Sequence, residues 1–175
     1  QVSPPGFRGL HSSGASFRSP SFGCKTGRSV MRDIEHAKSL LASENCSCVL
    51  VKGNSISISR KTGILPLVEF LSSGADLTGF SAADKIVGRA AAFLFVLLGV
   101  REIYASVMSG AALPVLQQSG IAYSYGILTP SIENRAGTGP CPMEKAVAGI
   151  CTPQEAFAAV RHTLEALRKK QEESV

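Results

Sequence analysis

The chain has 175 residues, 45% hydrophobic and 18% charged, which suits one α/β domain with a tail and leaves no room for two separate cores. Its formal charge of +5 comes mostly from residues 1–30, which carry Arg8, Arg18, Lys25 and Arg28 and no acid, so the rest is close to neutral. A near-neutral body without a basic stripe argues against binding a nucleic-acid polymer, and the longest apolar run, residues 90–100, is about half the length of a membrane span.

Residues 1–30 are rich in Ser, Gly and Pro and show no hydrophobic period, so they are expected to be a disordered leader. Two origins fit them, an organellar transit peptide or translated upstream sequence. Met31 reads as a natural start, and residues 31–175 as one domain. Five cysteines, Cys24, Cys46, Cys48, Cys141 and Cys151, form no disulfide framework, which implies a reducing compartment. The expected location is the cytoplasm, or an organelle if the leader is a transit peptide.

In chain order, Ile34, Ala37, Leu40 and Leu41 recur at helical spacing and predict an amphipathic helix over 31–44. The period then drops to two on either side of Lys52-Gly53-Asn54-Ser55, a hairpin over about 47–52 and 55–60. Cys46 and Cys48, two apart, are expected on one strand face as small hydrophobes rather than metal ligands. A short helix runs to Ser73 with Gly74 behind it. Ser81 to Gly99 then reads as a central helix, with Ser81 at the N-cap and Asp84 at the third helical position, apolar enough to lie against a sheet. A strand at 101–109, a helix closed by Gly120 and a strand at 121–130 complete an alternation that implies parallel pairing. A loop at 131–140, a helix at about 141–150 and a charged amphipathic helix at about 153–170 follow.

The strings "SCVLVKG", "GILPLVEFLSSG", "FSAADKIVGRAAAFL", "GTGPCPMEKAV" and "TPQEAFAAV" resemble a small family of prokaryotic proteins, a domain of unknown function assigned to the cytidine-deaminase-like fold. The likeness runs over nearly all of residues 31–160. It implies a three-layer α/β/α sandwich with a mixed sheet and an N-terminal hairpin; it brings no reaction with it.

A zinc deaminase needs a His or Cys ligand and a Glu on the central helix, and two cysteines on the helix after the next strand. Ser81-Ala82-Ala83-Asp84-Lys85 and Ser109-Gly110-Ala111-Ala112 supply none of these. The Pro-Cys-x-x-Glu of 140–144 comes one strand too late, with Glu144 where a second cysteine belongs. The expectation is therefore no metal, no cofactor and no zinc-dependent deamination, with catalysis of any kind left open.

The candidate ligand residues are Ser81, Asp84, Lys85, Arg135, Gly137, Thr138, Gly139, Cys141 and Glu144. Asp84 and Lys85 fall on the expected first turn of the central helix, where free N–H groups favour anions; Asp84 serves equally well as a cap, whereas Lys85 needs an anionic partner. Gly137-Thr138-Gly139 offers open backbone N–H groups beside Arg135, ahead of a helix with Cys141 at its N-cap, Pro142 at N1 and Glu144 closing a capping box. Catalytic candidates are Cys141, a thiol at a helix N-terminus, and Asp84. These residues fit a nucleotide or other phosphorylated metabolite. The alternatives are a non-catalytic protein-protein interaction module, with the same residues as caps and turns, or a Cys141-dependent hydrolase or transferase. A homo-oligomer through edge strands is a further expectation.

Overall fold

The computed structural model describes residues 32–134 and 136–173, all within one compact unit, Met31–Val175. The leader expected at 1–30, and Arg135, lie outside the described residues.

Helix α1 (Asp33–Ser43) precedes the hairpin of β1 (Cys48–Lys52) and β2 (Ser55–Ser59), whose turn is closed by the Lys52 and Ser55 pair. Helix α2 (Leu65–Ser72), strand β3 (Ser81–Val87), helix α3 (Arg89–Leu97), strand β4 (Glu102–Ser109), helix α4 (Leu113–Gln118) and strand β5 (Ala122–Thr129) follow. Helices α5 (Pro142–Ala146) and α6 (Pro153–Glu172) end the chain. The five strands form one mixed sheet in the order β2-β1-β3-β4-β5, with β1 antiparallel to both its neighbours and β3, β4 and β5 parallel.

Alternation along β1 builds the layers on both faces. Val49 and Val51 pack with Ala83 against Ala37 and Leu41 of α1. Cys48 and Leu50 point the other way, into the larger core with Ala82, Ile103, Leu94, Phe95, Leu116 and Val160. That is the α/β sandwich with an N-terminal hairpin that the sequence implies. Cys46, however, sits in the α1 cluster and Cys48 in the α3 cluster, so the two do not share a face. Cys46 lies before the strand begins, where its N–H bonds Glu44 O and the chain is still turning.

The helix expected from Ser81 to Gly99 is two elements. Ser81–Val87 is a strand held on one side by β1 and on the other by β4, and α3 begins only after Gly88. Ala82, Ala83 and Asp84 favour a helix locally or tolerate one. The first four residues of the strand, Ser81 to Asp84, are buried whichever face they point to and show no polar alternation, so they cannot be told from a buried helix by period alone. From Ala90 to Phe95 every residue of α3 is buried, because the helix lies on the sheet and is covered by α2, α4, α5 and α6. The terminators are as expected. Gly74, Gly99 and Gly120 each take positive φ, and paired N–H bonds close all three helix ends, as in Gly74 N to Leu71 O and Ala75 N to Phe70 O. Thr152 caps α6 by accepting from Glu155 N while its hydroxyl donates to the Glu155 carboxylate at 2.6 Å.

Strands β4 and β5 approach closely at Gly126, where a Cβ would stand 2.9 Å from Ser106 O and 3.3 Å from Tyr104 Oη. Since the nearer obstacle is backbone, Gly126→Ala is expected to force the strands apart and cost about 1–3 kcal/mol in urea unfolding; an unchanged midpoint would contradict this packing.

Candidate functional site

The carboxyl ends of β3, β4 and β5 lead into α3, α4 and the 130–141 loop, the edge where open α/β sheets bind ligands. The first N–H groups of α3 are already occupied. Arg89 N donates to Glu144 Oε2 at 3.0 Å and Ala90 N to Glu144 Oε1 at 3.1 Å. Gly88 permits this seat, since a Cβ there would lie 2.4 Å from Glu144 Oε1. The Arg89 guanidinium tightens the same junction, donating to Ile150 O at 2.7 Å and lying 5.1 Å from the Phe93 ring centre. Glu144 therefore caps a helix 55 residues away in sequence, and the local capping box expected at 141–144 does not form. The N–H of Cys141 donates instead to Ile132 O.

The loop ahead of α5 closes on itself. Asn134 N donates to Gly139 O, Gly137 N to Asn134 O, and Thr138 N to Asn134 Oδ1 at 3.1 Å. The Gly137 and Thr138 N–H groups are thus consumed within the loop, and the open amide cradle read from the sequence is not present at these two positions. Cys141 caps α5 without a side-chain bond and packs half-buried against the main core. The helix it heads has five residues rather than the ten expected, which leaves little dipole at the thiol. Among the described residues no hydrogen bond joins Cys141 to His36 or His162, which sit on α1 and α6.

Asp84 and Lys85 stand on β3, not on the first turn of a helix, so strand alternation sends them to opposite faces. Asp84 is buried opposite Cys48, bonded to its thiol, and accepts from Ile86 N at 2.9 Å. Burial pushes the Asp84 carboxyl up to about 7, against the opposing pull of hydrogen bonds from Ile86, Cys48 and Lys85 and of the Lys85 charge. Burial and the neighbouring carboxyl likewise raise the Cys48 thiol. Ser81, at the far end of β3, accepts from Arg101 Nε at 3.2 Å, and Arg101 pairs with Asp33 at 2.9 Å. Ser81 therefore belongs to a structural link between α1 and the amino end of β3 and does not join the other candidates.

Lys85 emerges on the α1 side, in an open cleft of about 480 Å³ between α1 and the sheet. Lys38, Ser39 and Glu35 line it from α1, Tyr104 and Ser106 from β4. The Lys38 ammonium lies 4.9 Å from the centre of the Tyr104 ring and 3.3 Å from Glu35. Among the described residues no hydrogen bond or ion pair holds the Lys85 side chain. Sequence reasoning missed Lys38, Ser39, Tyr104 and Ser106. The one signal available was that Lys85 needs an anionic partner.

Helix α3 opens Arg89-Ala90-Ala91-Ala92, and Ser109-Gly110-Ala111-Ala112 leads into α4. Among the described residues no group of three or more His, Cys, Asp or Glu could hold a metal ion, and no helix is long and apolar enough to cross a membrane.

Residues 36–164 match the family profile TM1506, described as a domain of unknown function, DUF1893. The crystal structure of a DUF1893 family protein from Thermotoga maritima is 29% identical, with a TM-score of 0.70 over 75% of this chain and 90% of that one. Two distant likenesses are a dCMP deaminase from cyanophage S-TIM5, solved with dCMP and dUMP, and RibD from Acinetobacter baumannii. The first is 15% identical with a TM-score of 0.36, over 53% of this chain and 92% of that one. The second is 20% identical with a TM-score of 0.35, over 54% of this chain and 33% of that one. The comparison with curated proteins gives no match.

Two outcomes follow from the geometry. Glu144→Ala should cost about 1–2 kcal/mol, as removal of a charged helix cap does, and Gly88→Ala should cost the same and add nothing to it, because both expel one carboxylate. Additive losses in a double-mutant cycle of urea midpoints would contradict a shared seat. Asp84 keeps its proton in the folded state to about pH 7 and loses it near 4 when unfolded, so the folded state binds the extra proton between those values. Wild-type stability should fall as pH rises through that window, by an amount of the order of 4 kcal/mol, and then level off. Asp84→Asn should flatten the curve; an equally steep fall in that variant would contradict the assignment.

Proposed function

For a chain that belongs to the TM1506 family of unknown function, DUF1893, we propose the binding of a small phosphorylated ligand, a nucleotide or another phosphorylated metabolite, in the cleft between α1 and the sheet. The observation that carries the reading is the Lys85 side chain, which has no ion-pair partner among the described residues and lies in a cleft that it shares with Lys38. Lys85 is exposed in the cleft, and its neighbour in sequence, Asp84, is buried on the opposite face of the strand. Two ammonium groups facing the single carboxylate of Glu35 leave the cleft cationic, which suits an anion carrying more than one charge. Ser39, Ser106 and the Tyr104 phenol supply neutral donors for phosphoryl oxygens, and the Tyr104 ring offers an apolar wall to the rest of the ligand.

This places the anion on the face opposite α3. Glu144 fills the α3 N-terminus, so a phosphate there would have to displace a carboxylate already holding two N–H groups. Thermal-shift measurements against nucleoside mono-, di- and triphosphates, ADP-ribose and inorganic phosphate test the reading. A bound member of the panel should raise Tm by on the order of 5 °C at saturation. Lys85→Ala and Lys38→Ala should each weaken its binding about tenfold or more, a loss of roughly 1.4 kcal/mol. No response to any phosphate, or a response that the double variant keeps, would overturn it.

A further inference from the structure

Among the described residues strand β5 ends the sheet, and its residues Ala122–Thr129 contain no charged side chain. Eight residues make an edge about 26 Å long, with unpaired N–H and C=O groups along it. Three of the usual protections of such an edge are missing from β5 itself: it holds no charge, no Pro, and it is not shortened. The opposite edge, β2, is shorter at five residues and runs into Arg60 and Lys61.

The apolar exposure at β5 lies on both of its faces. Ile127 and Leu128 are consecutive, so they point to opposite sides of the sheet, yet they are 62% and 45% exposed. Tyr125 is 41% exposed, and Ile86, registered through Val107 with Ile127, is 52% exposed. At these exposures the four side chains leave apolar area of the order of 400 Å² divided between the two faces, within the range of the largest patches that soluble domains expose, which are often functional.

We infer that a second copy of this chain covers this edge, the two β5 strands pairing antiparallel about a two-fold axis. A partner laid on one face of the sheet would cover Ile127 or Leu128 but not both; a strand added to the edge covers both at once. That strand must itself be uncharged and apolar on both faces, and β5 meets the requirement. A two-fold ladder sets no like charges against each other and closes, leaving neither β5 free. The exposed patch, together with the pleated backbone of an eight-residue strand, approaches the roughly 800 Å² per partner that a stable interface buries.

Sedimentation equilibrium on the whole chain tests the inference independently of any ligand. The expected species is a dimer, twice the 18.3 kDa of one chain. Ile127→Glu combined with Leu128→Glu should lose the dimer while far-UV circular dichroism stays unchanged, since both side chains are exposed; Ile86→Glu alone gives a milder second test. Ile56→Glu on β2 should keep the dimer. A wild-type monomer at every accessible concentration, a dimer that persists in the β5 double variant, or open-ended polymers from β5 pairing with β2 would each overturn it.

Discussion

Strand β3 sits at the joint of the mixed sheet, hydrogen-bonded to an antiparallel neighbour on one side and a parallel one on the other, and the placement of Ser81, Asp84 and Lys85 depends on it. Burial on both faces asks for small or apolar side chains, which Ser81, Ala82 and Ala83 supply. The same alternation buries Asp84 and turns Lys85 into the cleft that Glu35 and Lys38 also line. One becomes a carboxyl that holds its proton up to about pH 7, the other an exposed ammonium in an open cleft. Adjacent residues thus acquire opposite roles from the pleat of a single strand.

At the end of β3 the chain turns at Gly88 directly into α3, and Glu144 closes the turn from a distant segment. That carboxylate lies where a helix N-terminus would otherwise attract a ligand's anion. It ties the 130–150 region to the sheet, together with Arg89 on the Ile150 carbonyl. The proposed anion site therefore lies on the other face, in the cleft that Lys38, Lys85 and Tyr104 line.

Much of the fold was legible because it is written locally. The hairpin follows from period-two spacing around Gly53-Asn54, and the ends of α2, α3 and α4 from Gly74, Gly99 and Gly120. The boundary between β3 and α3 was not legible. Ser-Ala-Ala-Asp-Lys mimics a capped helix start, and only the neighbouring strands, more than 15 residues away in either direction, decide against it. Glu144 has a plausible local partner in the Cys141 N–H and spends its carboxylate on α3 instead, a contact that no window of sequence contains. The cleft is harder still, since its cations come from α1 and β3 and its ring from β4.

The central claim, that phosphate is held on the α1 face and not at the α3 N-terminus, is tested most directly by titrating the best-stabilising phosphorylated ligand into ¹⁵N-labelled protein and following backbone amide shifts. The account predicts that Lys38, Lys85, Tyr104 and Ser106 move together and saturate at one ligand concentration while Arg89, Ala90, Gly137 and Thr138 stay in place. Shifts concentrated at Arg89 and Ala90, with Lys85 unmoved, would contradict it.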